Sequence, residues 1–359
     1  MKTGDFIFRI PSEFRDSLCR IRLFKLGQDK WVALLTDVGR KNTGQSVTNN
    51  VEHIRQKLIA EGYIDDRSLI IEHYERNDLT RFSPTYDIVT FDKKGRPQWQ
   101  PIKLQEAVQI CDSTQQEIES NLSDKGALMK DLDFKRLQIW PEMDLPSKES
   151  KIVIKRRQDI ARSMISKDAI LNLVAEGATE AQIQTLLKND LSVFGEIYAQ
   201  PTEEYISFSE FPIGSGRADF VVFTGTSRMD VIVVEVKGAD FTFSNNDSYG
   251  NFSSKINEAA QQLRQKINHI RSGYEHFRVF AHDIRAKVEK GKNIYNSLCG
   301  PKGLLAVDPN KDIYISGIVI GGRCRDNLYE SKIRHQYEVM SNPRIRIESW
   351  DSWLKKLTR

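Results

Sequence analysis

The sequence predicts an α/β protein in two parts. A smaller α+β domain comes first, and a C-terminal domain follows whose mixed sheet is flanked by helices. Three observations carry this. After residue 166 the chain runs helix, three strand-like segments, helix, then a late apolar strand, an order that builds a helix-covered sheet. Before residue 120, strand-like runs are interleaved with amphipathic stretches. Between the two lies "WPEMDLPSKESK", where two prolines and dense charge mark a linker. The expected domains are therefore 1–120, a helical linker region over 121–165, and 166–359.

In the first domain, "GDFIFRI" and "KWVALLTDV" read as strands. "VTNNVEHIRQKLIAEGY" reads as a helix with Val51, Ile54, Leu58 and Ile59 on one stripe. "RSLIIEHYER" and "TYDIVTF" return to strand, "KKGRPQW" supplies a turn, and one helix runs from Leu104 to Ile118. The pattern loosens between Asn121 and Ser150. A basic helix is then expected around "KRRQDIARSMIS". "TEAQIQTLLKNDLSVF" forms another, with Thr179 as N-cap and Ile183, Leu186 and Leu187 on its apolar face. "EEYISFSEF", "GRADFVVF" and "DVIVVEVKGADF" are the three strands, a long helix spans Ser253 to Tyr274, and "DIYISGIVIGG" is the late strand.

Composition sets broad limits. The 359 residues are 39% hydrophobic and 28% charged, values ordinary for a globular chain. Lys+Arg 53 against Asp+Glu 49 leaves a net charge of +4, compatible with a nucleic-acid partner without indicating one. Cys19, Cys111, Cys299 and Cys324 lie far apart, which argues against a zinc ribbon or a disulfide framework. No apolar run is long enough to span a bilayer and the N-terminus has no signal-like segment, so a cytoplasmic protein with no membrane association is expected. "GQSVTNN" lacks the lysine of a phosphate-binding loop, and His269 and His276 have no third ligand near them.

The chemistry concentrates in "RADFVVF" and "DVIVVEVKG". Residues two apart on a strand share a face, so Glu235 and Lys237 point the same way. The short "TGTSRM" connection lets the strand carrying Asp219 pair beside them. Two carboxylates in an apolar setting repel unless one is protonated or a cation lies between them. Mg²⁺ takes one or two carboxylates completed by water and phosphate oxygens. A neighbouring lysine can orient water or stabilise charge on the phosphate. The other reading is a structural ion cluster, but buried ion clusters are poor stabilisers and give no reason to interrupt such apolar strands.

These residues resemble the PD-(D/E)XK nuclease superfamily: D-x(15)-E-V-K across two strands, with Ala218 in place of the eponymous proline. "GSGRADFVVF", "VIVVEVKGA", "EAAQQLRQKI" and "GIVIGGR" together resemble the C-terminal nuclease domain of Shedu proteins, bacterial anti-phage defence effectors. The resemblance covers Lys167 to the C-terminus. It implies a restriction-endonuclease-like fold and a metal-dependent DNA endonuclease acting on double-stranded DNA. It implies Mg²⁺, with Mn²⁺ as a substitute, and a homo-oligomer, with a tetramer among the open forms. Asp219 and Glu235 would be the metal ligands together with the backbone carbonyl of Val236, and Lys237 the catalytic lysine. Gln262, or its neighbour Gln261, would support the site, and Glu180 would be an additional acid. The first domain would sense or regulate.

Simpler readings stand beside these. Glu180 in a helix's first turn also favours the macrodipole. Gln262 also fits a solvated helix face. Arg217 suits a DNA phosphate and equally a pair with Glu210. Lys155, Arg156 and Arg157 form a basic cluster suited to DNA or to a second subunit, and the lysines and arginines from Lys255 to Lys292 are interrupted by acids, as on a solvated face. A non-catalytic DNA-binding module of the same fold and an RNA-directed enzyme are the rival functions.

Overall fold

The computed structural model describes residues 1–10, 17–26, 30–38, 47–78, 81–92, 95–119, 150–199, 204–245, 251–324 and 326–359. The chain divides into two compact units, Met1–Arg162 and Ser163–Arg359. Most of the proposed linker, residues 121–149, lies outside the described residues.

The first unit is one six-stranded sheet in sequential order: β1 (Lys2–Ile10), β2 (Ser17–Leu26), β3 (Lys30–Asp37), β4 (Leu69–Asp78), β5 (Arg81–Phe91) and β6 (Pro97–Ile102). All neighbours are antiparallel except β3 and β4. Helix α1 (Val47–Ala60) makes the crossover that a parallel pair requires. It buries Val47, Val51, Ile54 and Leu58 on one sheet face, as its spacing predicts. Ile59 is only partly buried there.

The helix expected from Leu104 to Ile118 is instead two, α2 (Leu104–Cys111) and α3 (Gln115–Ile118). Asp112 breaks it with φ 45 and ψ 57, and the Thr114 hydroxyl caps the second piece by accepting the Glu117 N–H. Helix α4 (Lys151–Ser163), within the span read as linker, packs on this unit: Ile154 joins its core and Gln158 donates to the Tyr63 carbonyl.

Two strands of this sheet escape sequence reading. β2 alternates Cys19, Ile21 and Leu23 with Arg20 and Arg22, and the arginines make it look exposed. Arg20 forms a two-pronged bond to Asp5, and the buried Arg22 donates to the carbonyls of Glu117 and Ile118 and to Thr36. In "KKGRPQW" the turn ends at Arg96, and the strand begins at Pro97. Pro97 and Pro101 are tolerated because β6 is an edge strand.

The second unit is also a six-stranded mixed sheet, in the order β10 (Leu298–Cys299), β7 (Ile206–Ile213), β8 (Gly216–Thr224), β9 (Asp230–Val236), β11 (Tyr314–Ile320) and β12 (Ile345–Glu348). β7, β8 and β9 run antiparallel, and β11 and β12 join them in parallel. Both faces are covered, which is why β9 reads as an unbroken apolar run.

Val231 and Val233 face a core shared with α8 (Ser254–Ser272) and α9 (Tyr274–Glu289). Ile232, Val234 and Val236 face the opposite core with α5 (Lys167–Ala175), α6 (Glu180–Lys188), α7 (Ser192–Tyr198) and α11 (Trp350–Leu354). Helix α10 (Asn327–Met340) adds Ile333 to the first of these cores. The single helix expected over "TEAQIQTLLKNDLSVF" is broken between α6 and α7, because Asp190 turns its carboxylate onto the Ser192 N–H and hydroxyl instead of continuing the helix. No helix among the described residues is long and apolar enough to cross a membrane.

Candidate active site

The site forms where β8 and β9 lie side by side. The last paired residues are Phe220 and Val234, so one further step of the register sets Asp219 opposite Glu235. Like charges in that relation destabilise a sheet unless something compensates them. The ladder on the other side of β8 is interrupted at the same level: Ser209 pairs with Phe220 and Phe211 with Ala218. Glu210 between them takes φ 53, outside the range a non-glycine residue ordinarily adopts. The Glu210 carboxylate is held by Lys188 at 2.6 Å, so the pairing with Arg217 considered from sequence does not form. Arg217 is exposed at the start of β8.

Each charged group has a defined partner. The Asp219 Oδ2 accepts the Val236 N–H at 2.8 Å. Glu235, 3% exposed, receives the Lys266 ammonium on Oε1 at 2.5 Å. Lys237 donates to Glu180, with Nζ 3.0 Å from Oε2. Burial pushes the Glu235 carboxyl up to about 7, and the nearby Asp219 charge adds to the rise against the lowering pull of Lys266 and Lys237. Burial also raises Asp219, with Glu180 adding to it; the Val236 N–H and the two lysines oppose the rise.

The local backbone explains why Lys237 reaches Glu180. Past the end of β9, Gly238 runs close to the start of α6: a Cβ there would lie 3.0 Å from the Glu180 nitrogen and 3.1 Å from the Ala178 oxygen. Glycine makes that approach without crowding either backbone. Four hydrogen bonds hold the segment in place. The Lys237 N–H donates to Ile320, the Ala239 N–H to Ala178, the Gly322 N–H to Gly238, and the buried Trp350 indole to the Lys237 carbonyl at 2.9 Å. Thr179 caps α6 in a capping box with Gln182, which fixes the helix start from which Glu180 projects.

The structure therefore brings Asp219, Glu235, Lys237 and Glu180 together. Gln262 is not joined to them: it donates to Glu258 on its own helix at 3.4 Å, and Gln261 is exposed. The α8 residue that touches the site is Lys266, one turn beyond Gln262. From sequence it reads as one of the solvated basic residues; its i+4 spacing from Gln262 is the available signal. In the first unit, Lys155 and Arg156 are exposed, while Arg157 donates to the Thr3 carbonyl at 3.2 Å.

Among the described residues no three His, Cys, Asp or Glu side chains gather as a ligand cage. Two opposed carboxylates with hard oxygen donors still fit Mg²⁺, which takes one or two carboxylates and completes its shell with water and phosphate. Residues 177–354 match the family model described as Shedu protein SduA, C-terminal. This unit belongs to the Shedu SduA C-terminal family. Membership implies a role in anti-phage defence. No curated protein and no solved structure matched the chain. The matched Shedu segment contains all five groups of the site, from Glu180 to Lys266, and the Trp350 that steadies it.

Proposed function

We propose that the C-terminal unit is a metal-dependent DNA endonuclease of PD-(D/E)XK type, acting in anti-phage defence, with the N-terminal unit directing or restraining it. The observation that carries this reading is the opposition of Asp219 and Glu235 on adjacent strands, both carboxyls raised, with two lysines in their immediate surroundings. Here the raised carboxyls mark a net cost in the folded protein, as expected of groups kept for chemistry.

Asp219 and Glu235 would hold Mg²⁺ or Mn²⁺, with the Val236 carbonyl proposed as a further ligand. When bound, the ion would polarise a phosphate oxygen and acidify water. The chain's own contribution is positional. The Val236 N–H fixes one Asp219 oxygen, leaving the other for a ligand. Lys237 is held near the pair by Glu180 and by the fixed backbone around Gly238, and its ammonium would orient a water or stabilise charge on a phosphodiester. Arg217, Lys155 and Arg156 are proposed phosphate contacts on double-stranded DNA, and assembly as a homo-oligomer, up to a tetramer, is proposed with them. Arg157 belongs to the same cluster, although one of its nitrogens is spent on Thr3.

The test is cleavage of supercoiled and linear DNA by the purified chain with Mg²⁺, with EDTA, and with Lys237→Ala. Products that require Mg²⁺ and vanish in the variant are expected. Salt-sensitive DNA binding with no cleavage by the full chain or by residues 163–359 would overturn the catalytic reading in favour of a DNA-binding module.

A further inference from the structure

Glu235 already carries a cation. The Lys266 ammonium lies 2.5 Å from its Oε1, with the Lys266 side chain 19% and that of Glu235 3% exposed. Helix α8 sets this contact: Leu263, Ile267 and Ile270 bury one face against the sheet, and Lys266 stands at the border of that face. Lys237, the lysine of the strand motif, is spent on Glu180. Asp219 receives a backbone N–H and, among the described residues, no ammonium of its own. When all are ionised, the three carboxylates and two ammoniums leave one negative charge in surplus. The pair that would take a dication is thus nearly balanced by the chain itself.

We propose that Lys266 is the resident counter-cation of the Asp219–Glu235 pair and competes with a divalent ion for Glu235, so that it sets the metal affinity of the site. The proposal rests on reading that pair as a metal site. A lysine suits the task. Its ammonium is a compact charge on a flexible stem, and its partial exposure gives it a route to water when it leaves. An interior arginine fork would hold the carboxylate more rigidly. Lys266 is therefore a positioning residue acting through Glu235, distinct from Lys237, whose ammonium is directed to Glu180.

The experiment measures Mn²⁺ binding to the full chain without nucleic acid, through the electron paramagnetic resonance signal of free Mn²⁺. The proteins are the wild type, Lys266→Met, Lys266→Gln, Lys266→Arg and, as the site control, Glu235→Gln. Both neutral variants should bind Mn²⁺ roughly tenfold to a hundredfold more tightly, the span expected for removing one charge-assisted hydrogen bond to the carboxylate. Lys266→Arg should show no such gain, and Glu235→Gln should lose the site. Unchanged or weaker binding in both neutral variants, with Glu235→Gln still abolishing it, would overturn the role of Lys266 and leave the metal site standing. If neither the wild type nor the Lys266 variants bind Mn²⁺, the metal reading and the proposal fall together.

Discussion

Glu235 offers a test that needs no substrate. Its carboxyl is raised from 4.5 to about 7, first by burial and then by Asp219. The folded state therefore holds its proton more tightly than the unfolded chain does. Below about pH 4.5 the group is protonated in both states and contributes no difference. As pH rises from 4.5 through about 7, the unfolded chain ionises first and stability is lost; above that the loss is complete. A shift of this size corresponds to about 3 kcal/mol at full ionisation. Glu235→Gln removes the titration. In EDTA, the variant should match the wild type near pH 4.5 and exceed it by up to about 3 kcal/mol at pH 8, a gap of roughly 6–12 °C in Tm for a unit of this size. Lys266, left without a partner but in reach of water, makes that figure a ceiling. Thermal unfolding followed by tryptophan fluorescence reports on the unit, since Trp350 and Trp353 are buried in its core. Added Mg²⁺ should flatten the wild-type slope and leave the variant unmoved. Parallel curves for the two proteins in EDTA from pH 5 to 8 would refute the reasoning.

Gly238→Ala should destabilise the second unit by about 1–3 kcal/mol through overpacking against Ala178 and Glu180, read by urea unfolding, and should reduce cleavage by moving Lys237. Trp350→Phe leaves the half-buried Lys237 carbonyl without its donor and should cost about 1–3 kcal/mol in the same assay. Glu180→Gln removes the charge that holds Lys237 and should lower cleavage roughly 10–100-fold with DNA affinity retained, the two being separated by a filter-binding assay.

Much of the second unit is legible in its sequence. β8, β9 and β11 are apolar runs bounded by turns, and a two-residue period places Glu235 on a defined face of its strand. By position alone Glu180 reads as a helix-start acid, and the resemblance adds it to the site as a further acid; its contact with Lys237 depends on Gly238 bringing two distant segments together. The breaks at Asp112 and Asp190 escape sequence reading because a single left-handed residue at Asp112, and a carboxylate turned onto nearby backbone at Asp190, both leave the apolar periodicity intact. β2 escapes sequence reading because its arginines find carboxylate and carbonyl partners elsewhere in the fold. By itself the sequence determined most of the local elements and the residue types that meet at the candidate site, since both follow from residue type and short-range spacing. The tertiary structure alone decided which lysine meets which carboxylate: Lys266 on Glu235 and Lys237 on Glu180 join residues 31 and 57 positions apart, and no local period encodes the approach of a helix to a central strand.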